Sequence, residues 1–158
     1  MKIKLFSKGM VVALCASASL FFVACDKDDN DDNDDMYTIS GNATGAQETP
    51  AVTTSATGTL TGTYNARTNQ LQYTISWNGL SGDVSVAHFH GPALAGVAAP
   101  PIIDLTVTTN GMTGNIVGTT TLADSTETHL LNGRLYYNLH TLANPDGEIR
   151  GQVSTSQQ

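Results

Sequence analysis

Leu71-Gln72-Tyr73-Thr74-Ile75-Ser76-Trp77 alternates a large apolar side chain with a polar one at every step. A period of two puts Leu71, Tyr73, Ile75 and Trp77 on one face of an extended strand and Gln72, Thr74 and Ser76 on the other, so the first face belongs to a core. Upstream, Thr57 to Tyr64 reads as its partner strand, and Asn65-Ala66-Arg67-Thr68-Asn69 between them as a hairpin loop. Around this hairpin the chain continues as short strands separated by turn residues: Tyr37 to Gly41, Val84 to His90, Ile102 to Thr108, Ile116 to Leu122, Arg134 to Thr141 and Glu148 to Ser154. Only Asp124 to Leu131 looks helical, with Asp124 or Ser125 as cap, Leu130 and Leu131 docking onto the strands, and Asn132-Gly133 as the stop. About eight strands and one short helical turn predict an all-β fold, an antiparallel two-sheet sandwich or flattened Greek-key barrel.

The 158 residues carry a formal net charge of −7, unevenly spread. Lys2, Lys4 and Lys8 precede an apolar run from Met10 to Val23 that stops at Ala24-Cys25. The run is shorter than the roughly 20 residues a membrane-spanning helix needs, and a small residue before cysteine is the processing pattern of a bacterial lipoprotein. Residues 1–24 are therefore expected to be a lipoprotein signal peptide, with Cys25 the diacylated first residue of the mature protein and its link to a membrane. Residues 25–35 are the lipidated cysteine and an acidic tether, because Asp26 to Asp35 holds seven Asp, two Asn and one Lys and has nothing apolar to bury. Cys-Asp-Lys-Asp-Asp is similar to the acidic export tag of surface lipoproteins in some Gram-negative lineages. The expected location is the cell envelope, on the outer membrane and surface-exposed.

Residues 36–158 are expected to form the folded domain. Cys15 leaves with the signal, so no disulfide is available to this domain, and a core of its size is stable without one. It retains seven acids and three Arg with no basic stripe. That composition argues against nucleic acid as a partner and offers no attraction to anionic headgroups.

Chemistry concentrates in two segments, His88-Phe89-His90-Gly91-Pro92-Ala93 and Tyr136-Tyr137-Asn138-Leu139-His140-Thr141, the second running through Asn144-Pro145-Asp146-Gly147 to Glu148-Ile149-Arg150-Gly151-Gln152. In the Asn-Pro-Asp-Gly turn, Pro presets the second position and Gly supplies a positive φ, so the last two strands form an antiparallel hairpin. Leu135, Tyr137 and Leu139 then face the core with Ile149 and Val153, and Arg134, Tyr136, Asn138 and His140 share the other face with Glu148, Arg150 and Gln152. This polar row is either a solvated sheet surface carrying a Glu-Arg pair or a binding face that offers Asn138, Glu148 and Arg150.

In Val84 to His90 the parity of Val84 and Val86 conflicts with that of Ala87 and Phe89, and a bulge near Ala87 resolves it. With Phe89 in the core, His88 and His90 stand outward at i and i+2, and His140 joins them if the strands are neighbours. Three imidazoles so placed make a candidate mononuclear site for Cu or Zn, the alternative being histidines that bond backbone and pack the following loop. His129 lies outside both segments. No Ser sits in a Gly-x-Ser-x-Gly setting, no phosphate-cradling loop is present and the acids are scattered, so a non-enzymatic role is expected.

The chain resembles the chordin-domain (CHRD) family over about Tyr37 to Val153. Four blocks carry the resemblance: Gly45-Ala46-Gln47-Glu48-Thr49-Pro50-Ala51, His88 to Ala93, Tyr136 to Thr141 and Gly147 to Gln152. The first departs from the usual Gln-Glu-Val-Pro-Pro at Thr49 and Ala51. The resemblance implies an extracellular β-sandwich, named after a domain of an animal growth-factor antagonist whose ligand does not transfer to a bacterial lipoprotein. His-x-His-Gly also resembles, more faintly, the copper strand of copper/zinc superoxide dismutases, although a dinuclear site of that kind needs more ligands than His88, His90, His129 and His140 supply. The expected function is that of a surface-anchored, non-enzymatic binding module for a protein or glycan ligand. The alternative is a metal-binding or redox protein built on His88, His90 and His140.

Overall fold

A computed structural model describes residues 35–158; the expected signal peptide and all of the tether except Asp35 lie outside the described residues. The Leu71–Trp77 stretch lies in β3 (Gln70–Asn78), where Leu71, Tyr73, Ile75 and Trp77 are all buried. Its hairpin partner is β2 (Thr57–Asn65), paired in unbroken antiparallel register from Asn65↔Gln70 to Thr57↔Asn78. The loop closes because Asn65 Oδ1 accepts hydrogen bonds from the Arg67 and Thr68 amides, while Asn69 takes a left-handed φ of 55°. β1 (Met36–Thr44) pairs with the whole of β2, which extends it three residues beyond the expected Gly41.

The remaining strands are β4 (Val84–His90), β5 (Pro101–Leu105), β6 (Gly114–Thr121), β7 (Tyr136–Thr141), β8 (Ile149–Gln152) and β9 (Ser154–Gln157). Hydrogen bonds connect them in the order β5-β4-β7-β8-β1-β2-β3-β6, with β9 also on β1, giving one antiparallel, nearly closed barrel-like sheet. The fold class is as the periodicity predicts. The single strand expected over Glu148 to Ser154 is instead interrupted at buried Val153, whose amide still donates to Leu135 O at 2.9 Å, one rung beyond the Tyr136↔Gln152 pair, before Ser154 joins β1. The break lets one stretch of chain serve β7 and β1 on one side of it and β1 alone on the other.

The barrel interior holds Leu60, Tyr64, Leu71, Ile75, Leu80, Phe89, Leu135, Tyr137, Leu139 and Ile149, each at most 1 % exposed. Across it the Tyr73 and Phe89 rings meet edge to face, 5.4 Å between centroids. Tyr73 is flanked in register by Gly62 and Gly118, and a Cβ at Gly118 would collide with its ring.

The helix α1 (Asp124–Leu131) has the expected bounds and buries Leu130. Its cap differs. Ala123 takes the N-cap position and its carbonyl accepts from Thr126 and Glu127, whereas Asp124 turns sideways to accept from Asn69 Nδ2 at 3.2 Å. Gly133, at φ 63°, ends the helix by donating to Leu130 O.

Candidate functional site

Pairing aligns His88 with Asn138, Asn138 with Arg150, and Arg150 with Thr44, so β4, β7, β8 and β1 share one rung. The parity conflict in β4 is resolved nearer its start than Ala87, by a register shift between Val84 and Val86. Val84, Ala87 and Phe89 consequently point into the barrel, and His88 and His90 point away from it.

His88, His90 and His140 come together, with one nitrogen from each within 4.8 Å of the others. His88 Nδ1 lies 3.1 Å from His140 Nε2. Asn138 Oδ1 lies 2.9 Å from both His90 Nε2 and His140 Nε2. The outer nitrogens are engaged elsewhere: His90 Nδ1 is 2.9 Å from Ala99 O and His140 Nδ1 2.8 Å from Pro145 O. His88 Nε2 faces exposed Asp104 at 3.7 Å. Burial lowers the pKa of His88, with His140 and His90 adding to the shift and Asp104 opposing it. Burial likewise lowers that of His90, against the pull of its bonds to Ala99 and Asn138. His129, on α1, is no part of the cluster.

The polar row is not a solvated surface except at its end, where Arg134 is exposed and Gln152 half-buried. Asn138, His140, Glu148 and Arg150 are all buried, because residues 45–56 and 91–100 cover that face of the sheet. Nor do Glu148 and Arg150 pair with each other; each holds a different loop. Glu148 accepts from Ser81 N and Oγ, Thr54 Oγ1 and Thr141 Oγ1 at 2.5–3.0 Å. Burial works to raise its carboxyl, but these bonds outweigh burial and hold the pKa below its ordinary value. Arg150 donates to Val97 O (2.9 Å), Leu94 O (3.3 Å) and Thr49 Oγ1 (3.4 Å), and its guanidinium lies 3.4 Å from the centroid of Tyr136. The same Tyr136 ring stacks on His90 at 4.7 Å, and its hydroxyl donates to Ala99 O.

Glu48, Ser81, Thr54, Thr141 and Tyr136 were not among the site residues expected from sequence. Alternation along β7 and β8 places neighbours within the sheet and carries no information on which distant loop folds over it. Burial raises the Glu48 pKa to about 7 against the lowering influence of Arg150. Its Oε1 and the Oε1 of Gln152 are buried acceptors with no hydrogen-bond partner among the described residues. Both residues line a cleft with Gln47, Ala95, Gly96 and Arg150, between the two covering loops.

The family model for the CHRD domain matches residues 39–153. The chain belongs to the CHRD family. The CHRD blocks read in the sequence lie far apart along the chain, yet the fold gathers all four: β4, β7 and β8 form one sheet surface, and the Gly45–Ala51 segment lies on it through Glu48 and Thr49. What is distinctive of CHRD in this chain is thus a single face with its covering loop. No curated protein and no solved structure matches the chain.

Proposed function

We propose that this CHRD protein is a non-enzymatic extracellular binding module, anchored through a lipid on Cys25 to the outer membrane and displayed on the cell surface. The observation that carries the binding role is the cleft between the covering loops. Gln47, Glu48, Gln152 and a guanidinium held by backbone carbonyls line it, amide, carboxyl and guanidinium groups suited to a hydroxyl- and amide-bearing ligand, a glycan or a protein loop. Glu148 and Arg150 fix the walls before any ligand arrives, which limits the ordering cost of binding. The test is a glycan and envelope-extract binding screen with wild type and Ala95→Trp, which fills the cleft from an exposed position. Specific capture abolished by Ala95→Trp is expected; capture indifferent to it overturns the cleft as binding site. Intact mass analysis tests the anchor: diacylated Cys25 is expected, and a mature protein starting elsewhere or extracted without detergent removes it.

A second reading, a mononuclear Zn or Cu site, is favoured by the convergence of His88, His90 and His140. Titration of the protein with either ion should show one tight equivalent that is lost in His88→Ala and His90→Ala and retained in His129→Ala.

A further inference from the structure

Resting on that second reading, we propose that the site has four protein ligands, His88 Nδ1, His90 Nε2, His140 Nε2 and Asn138 Oδ1, enclosing one Zn²⁺ or Cu²⁺ ion in a closed, non-catalytic shell. The argument is an accounting of hydrogens. Ala99 O and Pro145 O are acceptors, so His90 and His140 each donate from Nδ1 and, as neutral rings, turn a bare Nε2 inward. Both lone pairs point at Asn138 Oδ1, itself an acceptor, 2.9 Å from each. The amide is held this way round because its nitrogen lies beside the Glu48 carboxyl at Gly147, where the opposite orientation would set oxygen against oxygen. His88 Nδ1 completes the set at 3.1 Å from His140 Nε2, with Asp104 favouring the proton on the opposite nitrogen. Acceptors thus face acceptors in a buried pocket, an arrangement that costs free energy unless a cation sits among them.

The spacings lie close to those such an ion needs. Ligand atoms at about 2.0–2.1 Å from a common metal lie about 3.3–3.4 Å apart at tetrahedral angles; three of the six separations are 2.9, 2.9 and 3.1 Å, so the side chains spread by a few tenths of an ångström to take the ion. Three imidazoles and one neutral oxygen select zinc or cupric ion over calcium or magnesium, which take oxygen cages, and over cuprous ion, which takes thiolates and thioethers. Four protein ligands leave no open position, the mark of a structural site. The ion enters past half-buried His88, where exposed Asp104 supplies a first, weak attraction.

Zinc affinity of the full chain is measured by calorimetry for wild type, Asn138→Ala and Asn138→Asp, with His88→Ala reporting weak binding by the tether. Cobalt substitution supplies a second readout, since a tetrahedral site gives an intense visible spectrum and tether carboxylates do not. One tight equivalent in wild type, weakened about 10- to 100-fold or more by Asn138→Ala and preserved or tightened by Asn138→Asp, is the expected result. Unchanged affinity in Asn138→Ala overturns the fourth ligand and leaves the histidine site standing. Wild-type binding no tighter than His88→Ala, with no tetrahedral cobalt spectrum, overturns both. Should Asn138→Ala fail to melt cooperatively, Asn138→Asp decides: weaker binding than wild type counts against the proposal, equal or tighter binding for it.

Discussion

The two halves of the barrel are built on different physics. In β1, β2, β3 and β6 one face of each strand is buried or half-buried and the other is largely exposed, and apolar contact does the work. In β7 every residue from Tyr136 to Thr141 is buried, because the barrel interior lies on one side and a polar, loop-covered layer on the other. The contrast teaches that the sheet is one continuous ladder but its tolerance of change is not uniform. Apolar contacts degrade gradually with lost volume, whereas a buried charge with fixed donors fails when one partner is removed.

Truncation on the apolar side should give the largest loss. Trp77→Ala removes a buried ring whose Nε1 donates to Gly111 O, and should cost about 3–5 kcal/mol in denaturant melts. The loss should not vary between pH 5 and 8, since the ring's one polar atom bonds a backbone carbonyl. On the polar side, Glu148→Gln keeps the shape, removes the charge and aims an amide at hydroxyl and backbone donors. A loss of about 2–3 kcal/mol is expected, with faster proteolysis of residues 45–56; loss without loop exposure would erase the distinction drawn between the halves.

The pH dependence separates the halves further. His88 and His90 have pKa values below the ordinary 6.5, so the unfolded chain binds more protons than the native one as pH falls below 6.5, and their contribution to stability is lost in that direction. Glu48, raised from 4.5 to about 7, acts oppositely: its contribution is full below 4.5 and is lost as pH rises through 7. Metal-free wild type should therefore show a shallow profile between pH 4.5 and 6.5. Glu48→Gln should steepen it and exceed wild type at pH 8 by about 1 kcal/mol, allowing for partial exposure. A profile unchanged by the substitution would mean that Glu48 is solvated. The smallest effect belongs to Asp104→Ala, whose carboxylate is 92 % exposed; stability should change by less than about 0.5 kcal/mol, while the rate of metal uptake falls.

Most of the apolar half was legible in the sequence, since alternation in Leu71–Trp77 and in Leu135, Tyr137 and Leu139 records which face is wet and which is dry. Helix bounds were legible too, from Gly133 and the two leucines. The polar half was only half legible. Its face-sharing followed from alternation, and the meeting of His88, His90 and His140 follows once β4 and β7 are neighbours. Its burial did not, because a sheet face covered by loops has the same polar spelling as one covered by water. Nor did the β4 bulge position or the break at Val153, where the chain passes from its last bond to Leu135 to pairing with β1.

The rung that joins Thr44, Arg150, Asn138 and His88 lies at one end of β1, and Met36, where the acidic segment joins the domain, lies at the other. Eight steps of about 3.3 Å separate them, roughly 26 Å. With a lipid on Cys25, the ten residues Asp26 to Asp35 could reach at most about 35 Å from the bilayer when extended, and the strand would add its own length beyond that. The barrel would then act as a mast, its histidine and arginine end carried outermost, at a height where it meets soluble molecules or a neighbouring cell before anything in the membrane itself.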